Sequence, residues 1–171
     1  PTAPWIMRQV WESLTFLHWP VSTNQLRNLI PSSVDVDTFD GKAWIGLVPF
    51  RISSIRLRGC PPVPGIHRFL ELNVRTYVTR DNRPGVWFLS LDANSPLAVL
   101  AARRWYRLPY FNARIKISQA EHRLKFSSVR RGRASLAAAL RVQVDAAPEA
   151  TTDANGELTK WLTERYCLYA T

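Results

Sequence analysis

Strict alternation of residue types is the clearest pattern in the chain, and it covers residues 69–78, FLELNVRTYV. A period of two predicts a β-strand, because successive strand side chains point to opposite faces of a sheet. One face carries Leu70, Leu72, Val74 and Val78. The other carries Phe69, Glu71, Asn73, Arg75 and Tyr77. The second face is either a solvated surface or the wall of a polar pocket, and the strand alone leaves both open.

Neighbouring segments predict more antiparallel sheet. Asp40-Gly41 joins two β-rich runs, 34–39 and 42–50, as a hairpin, because Asp-Gly tolerates the positive φ of a type I′ turn. The second run continues through residues 51–59. Three prolines and two glycines make 59–68 a loop. Residues 79–85 then turn the chain into a strand at 86–93, so that 69–78 and 86–93 form a hairpin.

Helix signals occur at three places. Ser22 and Gln25 have the spacing of a capping box, and Pro31 limits the helix that follows to about 23–30. Ser95-Pro96 pairs a capping residue with a proline at the first helical position and begins the best-defined helix. Residues 157–165 suggest a short third helix.

The remaining segments are less distinct. Residues 8–21 fit either a helix or a strand. Residues 112–119 and 122–129 alternate like strands, whereas 135–145 is ambiguous because alanine favours helix. Residues 147–156 are a polar loop, and 166–171 begin a strand in which the chain stops. We therefore expect one α+β domain over 1–171, dominated by antiparallel sheet and lacking a C-terminal segment.

Composition limits the class of protein. With 46% hydrophobic and 21% charged residues the chain is globular, and it has no apolar run near the roughly 18 residues of a membrane span and no signal-peptide pattern at its start. We expect a cytoplasmic protein. Cys60 and Cys167 have no partner spacing, so both are interpreted as free thiols, and we expect neither a metal site nor a cofactor.

The net charge of +10 and the pI near 10.4 invite a nucleic-acid interpretation. Arg-rich segments 103–133 would supply the charge, with Trp105, Tyr106 and Phe111 as stacking platforms. The arginines are scattered and no recognised binding motif is present, so we favour the alternative that Trp105 and Tyr106 pack a helix into the core. A third possibility is a structural subunit of a homo-oligomer.

The row Glu71, Asn73, Arg75 and Tyr77 combines a carboxylate, an amide, a guanidinium and a phenol. Such groups can bind a small polar ligand. In the next strand, Ser90 and Asp92 alternate with apolar residues and are expected to add a hydroxyl and a carboxylate to the same surface. His18 is the best placed of the isolated histidines, since Trp19 and Pro20 would hold it rigidly. Composition alone favours a solvent-facing sheet.

A set of phrases in order along the chain resembles the YqjF-like proteins, a domain-of-unknown-function family within the acetoacetate decarboxylase-like superfamily. The phrases are FLHWPV, LRNLIP, VDVDTFDGKAWIGLVPFRI, ELNVRTYV, RPGVWFLSLDA, ARRWYRLPYF and LTERYCLYA. The resemblance implies a barrel-like or cone-shaped sheet with helices outside and a central cavity. In such a fold the polar row would line the cavity.

The resemblance also constrains the chemistry. The superfamily's decarboxylases form a Schiff base through a Lys that follows a Pro, and in the corresponding RLPYF the residue is Tyr110. Of the other cavity groups, one Glu matches Glu71, another falls at Gly46, and an Arg falls near Glu12. Lys116, on a strand with a polar face, is a weak substitute for the missing lysine.

The leading hypothesis is a small-molecule-binding protein without Schiff-base chemistry. Arg75 would anchor an anionic group, Glu71 would act as base or acceptor, and Tyr110 would donate a hydrogen bond to a carbonyl or enolate-like oxygen.

Overall fold

The computed structural model describes residues 4–132, 138–145 and 156–169. In this part of the chain ten strands belong to a single sheet, and three helices accompany it. The strands are β1 (Met7–Glu12), β2 (Leu17–Val21), β3 (Asp35–Val36), β4 (Ala43–Leu57), β5 (Phe69–Arg80), β6 (Arg83–Ala93), β7 (Tyr110–Ala120), β8 (Arg123–Arg130), β9 (Ala139–Asp145) and β10 (Cys167–Tyr169). The helices are α1 (Thr23–Arg27), α2 (Pro96–Tyr106) and α3 (Glu157–Thr163). The expected α+β class with a mostly antiparallel sheet is confirmed.

The main path of the sheet runs β1-β4-β5-β6-β7-β8-β9, while β2 pairs with β4, β3 with β5 and β10 with β6. Pairing is antiparallel except for β6 with β7 and β6 with β10. The parallel β6–β7 pair follows from α2, because a helical crossover returns the chain in the same direction. Among the described strands the sheet is open and does not close into a barrel. Of the two expected forms, barrel-like and cone-shaped, it is consistent with the cone-shaped one.

Several predicted boundaries need correction. The first helix ends at Arg27 and not at residue 30, because the residue before Pro31 is disfavoured in the helical region. Its capping box is present, with the Ser22 N–H donating to Gln25 Oε1 at 3.2 Å. The Asp40-Gly41 turn has positive φ at both residues, as predicted. The run before it, however, forms only the two-residue β3, which pairs with β5 and not with β4.

The ambiguous segments are resolved as strands. Residues 8–21 supply parts of β1 and β2, and 139–145 form β9. The predicted polar loop at 147–156 lies almost entirely outside the described residues. Cys60 and Cys167 are free thiols. None of the described helices has the length and apolar character needed to cross a membrane.

The core lies on both faces of the central strands. The Glu71 face is defined here as the face of β4 to β7 on which Phe50, Glu71, Ala93 and Asn112 form one row across the strands. Ala98 and Val99 of α2 pack against one end of it, and Leu162 of α3 packs against the other. The opposite surface, the Leu72 face, packs with residues of β7, β8 and β9. Side chains on both faces of β5 are therefore buried.

Candidate functional site

The polar row of β5 is buried. Glu71 is 3% exposed, Asn73 5% and Tyr77 0%, because the helices cover the Glu71 face. The interpretation of this row as a solvent-facing sheet surface, which composition favoured, is therefore wrong. Burying polar groups is costly unless they find hydrogen-bond partners, so the partners of each one indicate what the site can do.

Glu71 and Tyr110 form a hydrogen-bonded pair. The Tyr110 hydroxyl donates to Glu71 Oε2 at 2.9 Å across the small Ala93 of the intervening strand. Burial raises the pKa of Glu71 to about 8, although the bond from Tyr110 opposes that rise. Burial and the nearby Glu71 also raise the pKa of Tyr110 above its ordinary value. Near neutral pH Glu71 is mainly an uncharged acid that can donate a proton or a hydrogen bond.

Two amide side chains lie near this pair with unused acceptors. The Oδ1 atoms of Asn73 and Asn112 are buried and have no hydrogen-bond partner among the described residues. Asn73 is two residues along β5 from Glu71, and Asn112 is in the same cross-strand row as Glu71. Buried amide oxygens that lack a protein partner are normally satisfied by a bound molecule or by water.

Arg75 lies at the other end of the row, beneath α3. One terminal nitrogen of its guanidinium donates to the Leu162 carbonyl at 3.2 Å, and its Cζ lies 5.2 Å from the centre of the Phe16 ring. The Nε atom of Arg75 is buried without an acceptor, and no described carboxylate forms an ion pair with this cation. A half-buried guanidinium with spare donors is suited to an anionic group.

Tyr77 and His18 complete this end of the Glu71 face. The Tyr77 hydroxyl donates to the Leu162 carbonyl at 3.0 Å and lies 2.7 Å from His18 Nε2. Burial, with a smaller contribution from the Arg75 charge, lowers the pKa of His18 to about 4, so the imidazole is neutral near pH 7. A neutral ring with its proton on Nε2 can donate to the Tyr77 oxygen.

Gly46 makes room for this arrangement. A Cβ at this position would lie 3.2 Å from the His18 ring and 3.3 Å from Arg75 Cγ. The second glutamate of the decarboxylase pattern, which falls at Gly46, therefore has no space here without moving both side chains. Glu12, where the pattern has an arginine, accepts a hydrogen bond from Ser53 and lies 3.6 Å from Arg51.

Ser90 and Asp92 do not share this face, contrary to the sequence prediction. The register pairs Ser90 with Val74 and Asp92 with Leu72, because a bulge between Val74 and Arg75 shifts the alternation of β6 by one residue. Asp92 instead accepts from Arg130 Nε at 2.8 Å on the Leu72 face, and Ser128 Oγ lies 3.4 Å from its other oxygen. Arg130 was not predicted, since nothing near it in sequence indicates a buried cation.

The expected packing of the aromatic residues at the end of α2 is also wrong. Trp105 is 74% exposed and Tyr106 56% exposed, because the buried residues of α2 are Ala98 and Val99 in its first half. Lys116 is exposed on β7, six residues beyond Tyr110. It therefore lies about 20 Å along the strand from the Glu71–Tyr110 pair.

Sequence reasoning missed the contribution of α3 and the segment after it. Leu162 contributes its carbonyl to both Arg75 and Tyr77, and the Trp161 ring lies 4.9 Å from the Tyr77 ring. Arg165 pairs with Asp37 at 2.5 Å. A backbone carbonyl leaves no trace in a residue pattern. The aromatic and charged residues of 157–165, however, could have suggested a helix that packs against buried polar side chains.

Comparison with known proteins identifies the family of this chain. The profile of the DUF2071 family, described as an uncharacterized conserved protein, matches residues 8–171. The uncharacterized protein YqjF of Bacillus subtilis strain 168 is 43% identical over 171 residues, which is 100% of this chain and 70% of that protein.

Two solved structures show the same fold. Acetoacetate decarboxylase from Legionella pneumophila subsp. pneumophila str. Philadelphia 1 superposes with a TM-score of 0.57 at 12% identity, over 76% of this chain and 55% of that one. The enduracididine biosynthesis enzyme MppR, complexed with pyruvate, gives 0.57 at 14% identity, over 86% and 62%. The chain thus spans less than two thirds of either solved structure.

The profile match and the 43% identical relative show that the chain belongs to the DUF2071 family, and the solved structures show that it has the fold of acetoacetate decarboxylase-like proteins.

Proposed function

We propose that this chain binds a small oxo acid or similar polar anion on the Glu71 face, without Schiff-base chemistry. The observation that carries the proposal is the position of the buried polar atoms without partners. In the described residues these atoms belong to Trp44, Asn73, Arg75 and Asn112. The register and packing assign all four side chains to the Glu71 face. Because the four atoms lie on one face, a single bound polar ligand would satisfy several of them together.

The charges favour an anion with a neutral polar end. Arg75 offers a cation that no described carboxylate neutralises. The Glu71–Tyr110 pair is uncharged near neutral pH, since the pKa of Glu71 is about 8. The carboxylate of an oxo acid would bind Arg75, and protonated Glu71, four residues or about 13 Å along β5, would donate a hydrogen bond to a polar group at the far end of a longer oxo acid. The Asn73 amide lies between the two groups along β5.

The lysines support binding without an imine. The chain has four lysines, at positions 42, 116, 125 and 160, and all four are exposed. An amine that forms a Schiff base near neutral pH needs a lowered pKa, which burial or a nearby cation provides. Tyr110 stands at the position of the decarboxylase lysine, and a phenol cannot form an imine. MppR, which shares the fold, has been solved in complex with pyruvate, which makes pyruvate a sensible first probe.

The test is ligand-induced thermal stabilisation by pyruvate and by acetoacetate. A ligand at about 100 times its Kd adds about 2.7 kcal/mol and raises Tm by several degrees. We expect this shift in the wild type and in Arg80→Ala, an exposed arginine on the same strand, and expect its loss in Arg75→Ala. Circular dichroism checks that Arg75→Ala is folded, because Arg75 also binds the Leu162 carbonyl.

Two results would contradict the proposal. Equal stabilisation of the Arg75→Ala and Arg80→Ala variants would mean that Arg75 is not part of the site, and no shift with either oxo acid would exclude this class of ligand. Borohydride added to the acetoacetate mixture should leave no covalent mass adduct. An adduct that disappears in Lys116→Ala would establish the Schiff-base chemistry that the proposal rejects.

A further inference from the structure

Strands β7, β8 and β9 present a basic surface on the side opposite their packed face. The register places Lys116 opposite Ser127, and Ser127 opposite Arg141, in one row across the three strands. Neighbouring rows on the same side hold the other cations. The basic face is defined here by Arg114, Lys116, Arg123, Lys125 and Arg141, all of which are exposed.

Few negative charges balance this surface. Asp145 is the described carboxylate in its rows, and it pairs with Arg123 at 2.5 Å. No described carboxylate forms an ion pair with Arg114, Lys116 or Arg141. Neighbouring strands are about 4.8 Å apart and alternate residues of one strand about 7 Å apart, so several of these cations can contact one extended polyanion.

The C-terminal end of α2 lies at the start of β7 and carries further exposed cations. Arg103 Nε donates to the carbonyl of Tyr110, the first residue of β7, at 2.5 Å. Arg104 and Arg107 are exposed in the same part of the chain, and Trp105 is 74% exposed between them in sequence. Exposed cations with an exposed indole form the combination that single-stranded nucleic acids require, because phosphates bind the cations and bases stack on the ring.

We propose that the basic face, together with the end of α2, binds single-stranded nucleic acid. The shape favours this occupant over a duplex, since the cations are spread over three strands and no described element projects from them into a groove. It also favours nucleic acid over an anionic membrane. Val129 is the exposed large hydrophobic residue described on these three strands, which therefore offer little apolar area for insertion, whereas Leu100 and Trp105 of α2 are exposed and make the vesicle comparison necessary. Arg114 lies two residues beyond Asn112 on the same face of β7, so this exposed surface adjoins the Glu71 face, in which the Glu71–Tyr110 pair is buried.

The experiment measures binding of a fluorescein-labelled oligo-dT and oligo-U of about 20 nucleotides by anisotropy, from about 50 to 200 mM salt. The test variant is Arg114→Ser/Lys116→Ser/Arg141→Ser. Its matched control is Arg68→Ser/Arg80→Ser/Arg83→Ser, which removes the same charge from exposed positions before β5 and at the β5–β6 turn. Each lost phosphate contact should reduce the steepness of log K against log salt by about 0.7. The slope of the test variant should therefore be shallower by about 2, and that of the control should be nearly unchanged.

Three outcomes would overturn the proposal. The first is no binding by the wild type at low salt. The second is an equal loss in both triple variants, which would mean that net charge alone attracts the oligonucleotide. The third is unchanged affinity in Trp105→Ala, where removal of a stacking platform should weaken binding about 5- to 100-fold. Vesicles containing phosphatidylserine provide the last comparison. Association with vesicles in the absence of oligonucleotide binding would assign the surface to lipid instead.

Discussion

The two ends of the Glu71 face along β5 differ in how their polar groups are satisfied. At the Arg75 end, α3 supplies the Leu162 carbonyl, which accepts from both Arg75 and Tyr77, and Tyr77 also bonds His18. At the Glu71 end, the carboxyl group has one partner, Tyr110, beside two amide oxygens with none. Both ends are covered by a helix and keep buried polar atoms without a partner among the described residues, but α3 satisfies part of the row at the Arg75 end, whereas α2 packs the apolar Ala98 and Val99 against the Glu71 end.

One buried row thus holds both satisfied and unsatisfied polar groups. Groups that a neighbouring element satisfies contribute to folding, because their desolvation is offset by hydrogen bonds. Groups left without partners cost stability and are retained where a bound molecule can satisfy them. The pKa shifts have the same cause at both ends, since burial disfavours the charged form and therefore raises the pKa of Glu71 and lowers that of His18.

The largest expected effect is the pH dependence that Glu71 imposes. The pKa of Glu71 rises from 4.5 to about 8 on folding, so between these values the folded state holds a proton that the unfolded state releases. Wild-type stability should therefore fall as pH rises through this window, by about 1.4 kcal/mol per pH unit. Relative to Glu71→Gln, the loss between about pH 5 and about pH 8.5 should be about 4 kcal/mol, measured by urea unfolding.

Two further variants sharpen this measurement. Glu121→Gln, at an exposed turn position, should keep the wild-type profile. Tyr110→Phe removes the hydrogen bond that favours the charged carboxylate, so the pKa of Glu71 should rise further and the stability loss should move to higher pH. Parallel pH profiles for the wild type and Glu71→Gln would contradict the burial of an uncharged acid at this end.

Arg165→Ala removes the ion pair with Asp37 and should lower the free energy of unfolding by about 3 kcal/mol, a smaller effect than that of Glu71. The Arg165 side chain is 4% exposed and that of Asp37 23%, so the substitution leaves a partly buried carboxylate without its cation. Arg165 also donates to the Trp161 carbonyl at 2.6 Å, which connects α3 to this pair. Urea unfolding at neutral pH measures the loss.

The matched control is Arg123→Ala, whose pair with Asp145 has the same 2.5 Å separation but side chains that are 55% and 56% exposed. Exposed pairs contribute less than about 1 kcal/mol, so this variant should be nearly as stable as the wild type. The pH slope assigned to Glu71 should persist in Arg165→Ala if the two ends are independent. Loss of that slope would show that α3 also supports the Glu71 end.

The sequence predicted most of the strands and the polar residues of β5. These predictions succeeded because strand alternation, the Asp40-Gly41 turn and the Ser95-Pro96 helix start all depend on local chemistry. The faces of β6 could not be predicted, since one bulge beside Arg75 reverses which residues meet the row. Tyr110 entered only through the resemblance, and Asn112 was not singled out as a site residue, because their closeness to Glu71 depends on the crossover through α2.

The environment of α2 shows a second limit. Its apolar residues predicted a helix packed along its length, yet Leu97 and Leu100 are 54% and 65% exposed, as well as Trp105. An amphipathic pattern gives the face of a helix but not how much of that face meets the sheet. The arginines of 103–133 are scattered in the sequence, which suggested that they form a solvent-exposed rim. Only the pairing register of β7, β8 and β9 shows that five cations lie on one face. Arg133 lies outside the described residues.

The smallest expected effect belongs to His18 and has the opposite sign to that of Glu71. Its pKa falls from 6.5 to about 4 on folding, so between these values the unfolded state binds a proton that the folded state lacks. Stability should therefore rise with pH across this range. Because His18 is only half-buried, solvent screens the effect, and we expect about 1 kcal/mol relative to His18→Gln. His122→Gln, at an exposed turn, is the matched control. The contrary result is a wild type that loses no stability relative to His18→Gln as the pH falls toward 4. It would mean that the His18–Tyr77 contact survives protonation of the imidazole. The Arg75 end would then be no more sensitive to its hydrogen-bond partners than the Glu71 end.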